Sequence, residues 1–293
     1  MTNRLNIAGL TGECVDPAEA LRQSRELLPD LERVLGRDDS TTLNTRAVMA
    51  ASTGECGYPA EALGLFQKLL PDQERIFGRD HPDPLMTRHN IAFWTANSGH
   101  SAEALHLFQQ LLPDRERVLG QDHPDTLNTR NNIARLVAAS GDTAEALRLF
   151  QELLPRQEHV LGQDHPETLT TRNNIAFLTG NSGHPAEALH LFQQLLEDRE
   201  RVLGRDHPDT LTTRINIAGF TENCGHPAEA LRLYEQLLPD LERAFGREHH
   251  HTLFTRRAIQ RLNAPGTLPI ETQCIKPDDA VPQRCFEPVT SGV

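Results

Sequence analysis

Apolar residues along this chain recur at helical spacing, in blocks broken by glycine. In one block Ile133, Ala134 and Val137 stand at i, i+1 and i+4, one face of a helix. The spacing predicts a first helix over about Asp125–Ser140, stopped by Gly141. A second begins at Asp142, a capping residue with Glu145 three positions on, the capping-box arrangement. Ala146, Leu147, Phe150, Leu153, Leu154, Val160 and Leu161 then give a broad apolar stripe, and Gly162 closes it. In other copies Pro17, Pro59, Pro185 or Pro227 takes the first position of this helix, where a missing N–H costs nothing. Another proline is out of place. Pro155, with Pro29, Pro71, Pro113 and Pro239 in register, falls inside the second helix, where the fifth copy has Glu197. An interior proline costs about 3 kcal/mol. A kink, or a break with a fresh start, is expected there, acting as a curvature device.

The two-helix pattern returns every 42 residues: LGQDHPDTL ends at Leu127, LGQDHPETL at Leu169 and LGRDHPDTL at Leu211. The same step reaches back to Leu85 and Leu43 and forward to Leu253. Self-similarity at such a period is the signature of a solenoid. It predicts six complete helix pairs, then an unpaired and more polar helix over about Thr252–Leu262 as an end cap. The expected fold class is all-α, with a solenoid over residues 1–262 and a disordered, proline-rich tail over 263–293. Met1 stands at the start of a first-type helix, so Leu5, Ile7 and Leu10 would lack an upstream neighbour. The chain is expected to be a fragment of a longer array or to associate with something through that uncapped N-terminal end.

A formal charge of −12 argues against an electrostatic grip on nucleic acid, which needs a basic face. Five cysteines without paired spacing read as reduced thiols. Cys14, Cys56 and Cys224 align with Ser98, Ser140 and Ser182, so these sites want something small. The sequence shows no secretory pattern and no apolar run long enough to span a bilayer, which predicts a cytoplasmic protein with no membrane partner.

The unit Arg130-x2-Ile133-Ala134-x2-Val137…Ala146-x3-Phe150 resembles the tetratricopeptide pattern. The 42-residue step, the Asn-Asn-Ile-Ala string and the Gly-x-Asp-His-Pro link resemble the longer variant of kinesin light chains. They are similar, still more, to the arrays that end bacterial signalling ATPases of the NB-ARC type. The resemblance covers about residues 1–262, with two departures. Arginine replaces the usual large aromatic near the start of the first helix, and the usual late proline is missing. It implies a right-handed α-α superhelical solenoid of antiparallel helix pairs, with first-type helices lining a concave wall. In co-chaperone members an asparagine matching Asn132 helps clamp a peptide carboxylate. Carried over position by position, that place holds Asn6, Asn90, Asn132, Asn174 and Asn216, while Val48 and Ala258 break the series. The clamp's lysines are not reproduced at Leu5, His89, Asn131, Asn173 and Ile215, which points away from terminal-carboxylate capture and toward an extended peptide backbone.

Helix geometry supports a groove separately. Asn132 lies about 100° around from Ile133, off the packed stripe but not opposite it. Three residues on stands Arg135, matched by Phe93, Phe177 and Gly219; seven on stands Ala139, matched by Asn97, Asn181 and Asn223. An amide offers donor and acceptor together, and Phe93 and Phe177 would add apolar pockets between amide rungs. Asn131 and Asn173, which vary to His89, Ile215 and Arg257, are expected at the rim, tuning the ligand. The alternative is that the amides bridge neighbouring helices or meet water. The arginine series Arg4, Arg46, Arg88, Arg130, Arg172, Arg214 and Arg256 lies on the packed face, where each is expected to lay its stem on apolar neighbours and pair with a carboxylate. His81, His123, His165, His207 and His249 belong to helices stacked about 8–10 Å apart and cannot share one metal. A surface triple, His249–His251, is not by itself a site. No catalytic constellation, metal or cofactor is expected. The reading is a non-enzymatic scaffold or sensor that binds a peptide segment of a protein partner. The alternative is an assembly array that self-associates or packs against a signalling NTPase module.

Overall fold

The computed structural model describes residues 16–264. Among the described residues are twelve helices and no strand. They are α1 (Pro17–Val34), α2 (Ser40–Glu55), α3 (Pro59–Phe77), α4 (Pro82–Asn97), α5 (Ser101–Leu119) and α6 (Pro124–Ala139). There follow α7 (Thr143–Val160), α8 (Pro166–Asn181), α9 (Pro185–Val202), α10 (Pro208–Asn223), α11 (Pro227–Phe245) and α12 (His250–Asn263). Even-numbered helices are the first type, odd-numbered the second. The helix expected before α1, with Arg4 and Asn6, and the tail after residue 264 lie outside the described residues.

The chain divides into two compact units, the first ending at Ser140 and the second beginning at Gly141. Within each, every helix packs on its sequential neighbours, and the short links make those neighbours antiparallel. First-type helices also touch one another, α2 with α4 and α8 with α10. Each unit is therefore a stack of antiparallel helix pairs. No helix among the described residues is long and apolar enough to cross a membrane.

Small and large apolar residues alternate in the core. Ala62 and Phe66 of α3 meet Leu43, Ala50 and Trp94 in the first unit. In the second, Ala188 and Phe192 of α9 meet Leu169, Ala176 and Phe220. These side chains are almost wholly buried, each large one contributing about 1.5–3 kcal/mol. A positive-φ glycine closes every helix link, spaced 21 residues apart from Gly36 to Gly246. Gly141 (φ 96°) and Gly162 (φ 95°) show the need: a side chain there would be strained although the space is open.

The interior prolines do not break their helices. α1, α3, α5, α7 and α11 run through Pro29, Pro71, Pro113, Pro155 and Pro239. All five prolines are exposed, and so are the residues four positions before them, Arg25, Gln67, Gln109, Gln151 and Glu235. The carbonyl each proline deprives of its partner therefore faces water, which lowers the cost expected of a buried break.

The histidines of the repeated link are helix N-caps. Nδ1 of His81, His123, His165 and His207 accepts the N–H two residues on, from Asp83, Asp125, Glu167 and Asp209, at 3.1–3.2 Å. Asp39 does the same for Thr41 at 2.8 Å in the first link. The imidazole thus replaces a carboxylate in a capping position, and the accepting Nδ1 places the ring proton on Nε2.

Candidate interaction surface

On α4, α6, α8 and α10 the expected ligand-facing residues stand at equivalent positions, a strip set by the register. The strip is narrower than the sequence implies. Asn90, Asn132, Asn174 and Asn216 are 1–6% exposed. In the first unit Asn132 donates from Nδ2 to the carbonyl and side-chain oxygens of Asn128, at 3.0 and 2.9 Å, while Asn90 Oδ1 has no partner within the protein. In the second unit both amide atoms of Asn174 and Oδ1 of Asn216 lack one. The open edge of the strip is formed by Asn97, Asn181 and Asn223, all exposed. Asn97 Nδ2 donates to the Phe93 carbonyl at 3.0 Å. Arg135 is partly buried.

Phe93 and Phe177 are engaged in packing. Phe93 meets Trp94 edge-on at 5.0 Å and lies against the first unit's core; Phe177 meets Phe220 edge-on at 6.5 Å within the second. Asn131 and Asn173 need correction: expected at the rim, they are 2% and 6% exposed. Both are buried in the packing rather than standing at a rim. Asn173 Oδ1 accepts from Arg199 at 3.5 Å.

Arg199 and its counterpart Arg115 were not foreseen. Both guanidinium groups are almost fully buried. Arg115 donates to the Asp125 carbonyl (2.6 Å), Thr129 Oγ1 (2.8 Å) and His89 Nδ1 (3.1 Å). Arg199 repeats this with the Asp209 carbonyl (2.9 Å) and Thr213 Oγ1 (2.7 Å). Desolvation lowers the pKa of each to about 10, so both stay charged at neutral pH. The signal was present: this position reads Leu31, Gln73, Arg115, Gln157, Arg199, Leu241, polar only in the middle copies.

The other arginine series is structural, as expected. Arg46, Arg88, Arg172 and Arg214 pair with Asp72, Asp114, Asp198 and Asp240 on the following second-type helix at 2.6–3.0 Å. The residue 26 beyond Arg130 is Arg156 rather than an acid, and Arg130 turns back to Glu116. A further ladder joins Arg75, Arg117, Arg201 and Arg243 to Asp38, Asp80, Asp164 and Asp206 of the preceding repeat's link. Hydrogen bonds from the arginines hold the Asp38, Asp80 and Asp164 carboxyls below the usual carboxylate range.

Antiparallel helix pairs at a fixed repeat, with a polar strip along the first-type helices, define a helix-pair repeat protein. Two models of the tetratricopeptide repeat family match it, one at residues 42–83, 168–209 and 210–251 and the other at 99–159. The chain is a tetratricopeptide-repeat protein. A Podosopora anserina putative kinesin light chain with nearly identical TPR-like repeats is similar to it at 25% identity and a TM-score of 0.58, over 69% of this chain and 96% of that one. BtubC (BKLC) from P. vanneervenii shares 16% identity and a TM-score of 0.63, over 80% and 92%. NprR in complex with its cognate peptide NprX shares 16% identity and a TM-score of 0.56, over 83% and 74%. No curated protein matches.

Proposed function

We propose that the chain is a non-enzymatic protein-interaction scaffold whose first-type helices bind an extended peptide segment of a protein partner. The observation that carries this is the series of buried amide atoms without a protein partner at equivalent positions, Asn90 in the first unit and Asn174 and Asn216 in the second. An unsatisfied buried polar group costs about 1–3 kcal/mol. Its recurrence on the first-type helices that carry the exposed edge at Asn97, Asn181 and Asn223 is the ground for a group supplied from outside. Neighbouring packed helices lie about 8–10 Å apart, and an extended chain rises about 3.3 Å per residue. Rungs on neighbouring first-type helices, turned outward toward the exposed edge at Asn97, Asn181 and Asn223, would therefore meet the main chain at every third residue. A similarly folded neighbour, NprR, binds a peptide, which supports the reading.

The test is selection of binders from a displayed random-peptide library by the wild-type chain, followed by affinity measurement on Asn174→Ala/Asn216→Ala. Selected peptides should bind the double variant at least tenfold more weakly. Its melting temperature should be unchanged or higher, because the deleted atoms make no bonds that alanine would lose. Equal affinity for the double variant, or no peptide retained by the wild type, refutes the proposal.

A further inference from the structure

The turn that opens α12 departs from its sister turns. The chain reads His-Pro-Asp at 81–83, 123–125 and 207–209 and His-Pro-Glu at 165–167, but His-His-His at 249–251. His249 keeps the capping role, its Nδ1 accepting the His251 N–H at 3.3 Å, which leaves its Nε2 edge for another contact. Phe245 stacks on His249 at 4.5 Å and meets His251 edge-on at 5.3 Å, so both rings are held in place. The three imidazole centroids stand 4.1–5.0 Å apart. One nitrogen from each ring lies within 4.8 Å of the other two.

A second observation concerns His251. Where the sister turns place Asp83, Asp125, Glu167 and Asp209, none of them buried, this turn places an imidazole that is 2% exposed. Neither of its ring nitrogens has a partner within the protein. A buried imidazole without a hydrogen bond is an unfavourable arrangement unless something binds it.

We propose that His249, His250 and His251 bind one divalent transition-metal ion of the zinc class. Neutral imidazole suits such borderline ions. With Zn–N bonds of about 2.0–2.1 Å, tetrahedral donors stand roughly 3.4 Å apart, so the rings need close by little more than about 1 Å. His250 is exposed and gives the ion its entry path. Three protein ligands leave a fourth position for water. The ion would fasten the link after α11 to the first turn of α12. This inference is independent of the peptide-binding proposal, since it uses none of the amide rungs.

The test is calorimetric titration of the metal-stripped full chain with zinc chloride, paired with thermal melts. The decisive variant is His250→Pro/His251→Asp, which writes into this turn the sequence of three sister turns and so keeps a fold the chain already uses. The wild type should bind one zinc per chain and melt higher with zinc. The variant should bind it at least tenfold more weakly, with no thermal shift. His250→Ala, an exposed change, should also lose at least threefold in affinity, and it stands as the check should the double variant misfold. Absence of a zinc site in the wild type, or equal stoichiometry and affinity in the folded variants, overturns the proposal. The chain's other histidines supply any background in both arms.

Discussion

His89 shows how one residue can carry a pH dependence. It sits where the fourth and fifth copies have Asn131 and Asn173. Arginine can only donate, so the Arg115 contact fixes His89 Nδ1 as acceptor and the ring as neutral. Phe108 closes its other side, edge-on at 5.2 Å. Burial first, and then the Arg115 charge, push its pKa well below the ordinary 6.5. The unfolded chain binds a proton at this histidine below about pH 6.5 and the folded chain does not, so stability rises with pH through that window and falls on acidification. His89→Asn substitutes the residue that faces Arg199 in the second unit. We predict that the variant loses less stability than wild type between about pH 7.5 and 5.5, by up to about 1.4 kcal/mol per pH unit. Denaturant unfolding at the two pH values reads this directly, and parallel pH profiles would show that His89 titrates normally.

At the scale of the element, first-type helices meet through matched pairs of small and large residues. A Cβ on Gly180 would stand 2.0 Å from Phe220 Cε1, and one on Gly54 would stand 2.4 Å from Trp94 Cη2. The equivalent positions in another copy hold Ala96 and Leu136, a larger residue with a smaller partner. Gly180→Ala would gain about 1 kcal/mol of helix propensity and lose about 1–3 kcal/mol to overpacking against a buried ring. The variant should therefore be less stable. Adding Phe220→Leu should recover much of that loss, and a double-mutant cycle should return a coupling above about 0.5 kcal/mol. Additive effects would mean the two helices simply slide apart. Element boundaries were largely legible in the sequence: the first helix read as about Asp125–Ser140 is Pro124–Ala139. The strip was less legible, for a physical reason. A 100° turn from the packed stripe reads as open on an isolated amphipathic helix. Here second-type helices lie behind, and first-type helices flank both sides, as α8 and α12 flank α10. What remains open is a narrow edge at Asn97, Asn181 and Asn223. The capping histidines were hidden because their role belongs to backbone geometry, although Asp39 in the first copy pointed to it.

At the scale of the whole molecule, a chain whose described helices pack, within each unit, on near neighbours should lose structure locally. The second unit offers a place to test this. Glu222 of α10 is buried where its equivalents are Gly54, Ala96, Ala138 and Gly180, and Arg261 of α12 meets both its oxygens. Removing one partner of a buried ion pair costs about 3–5 kcal/mol, because the other charge is left uncompensated. Removing both should cost less, since a small neutral residue is what the repeat uses there. We predict that Arg261→Met raises amide hydrogen exchange in α12 and α11, and next in α10, while α2 to α5 exchange at wild-type rates. Glu222→Ala/Arg261→Met should restore much of the lost protection. The same increase along the entire chain would show that it opens as one cooperative body, and that a nearest-neighbour description of its stability is wrong. A local effect would show that the end helix can loosen while the amide rungs of the first unit keep their geometry.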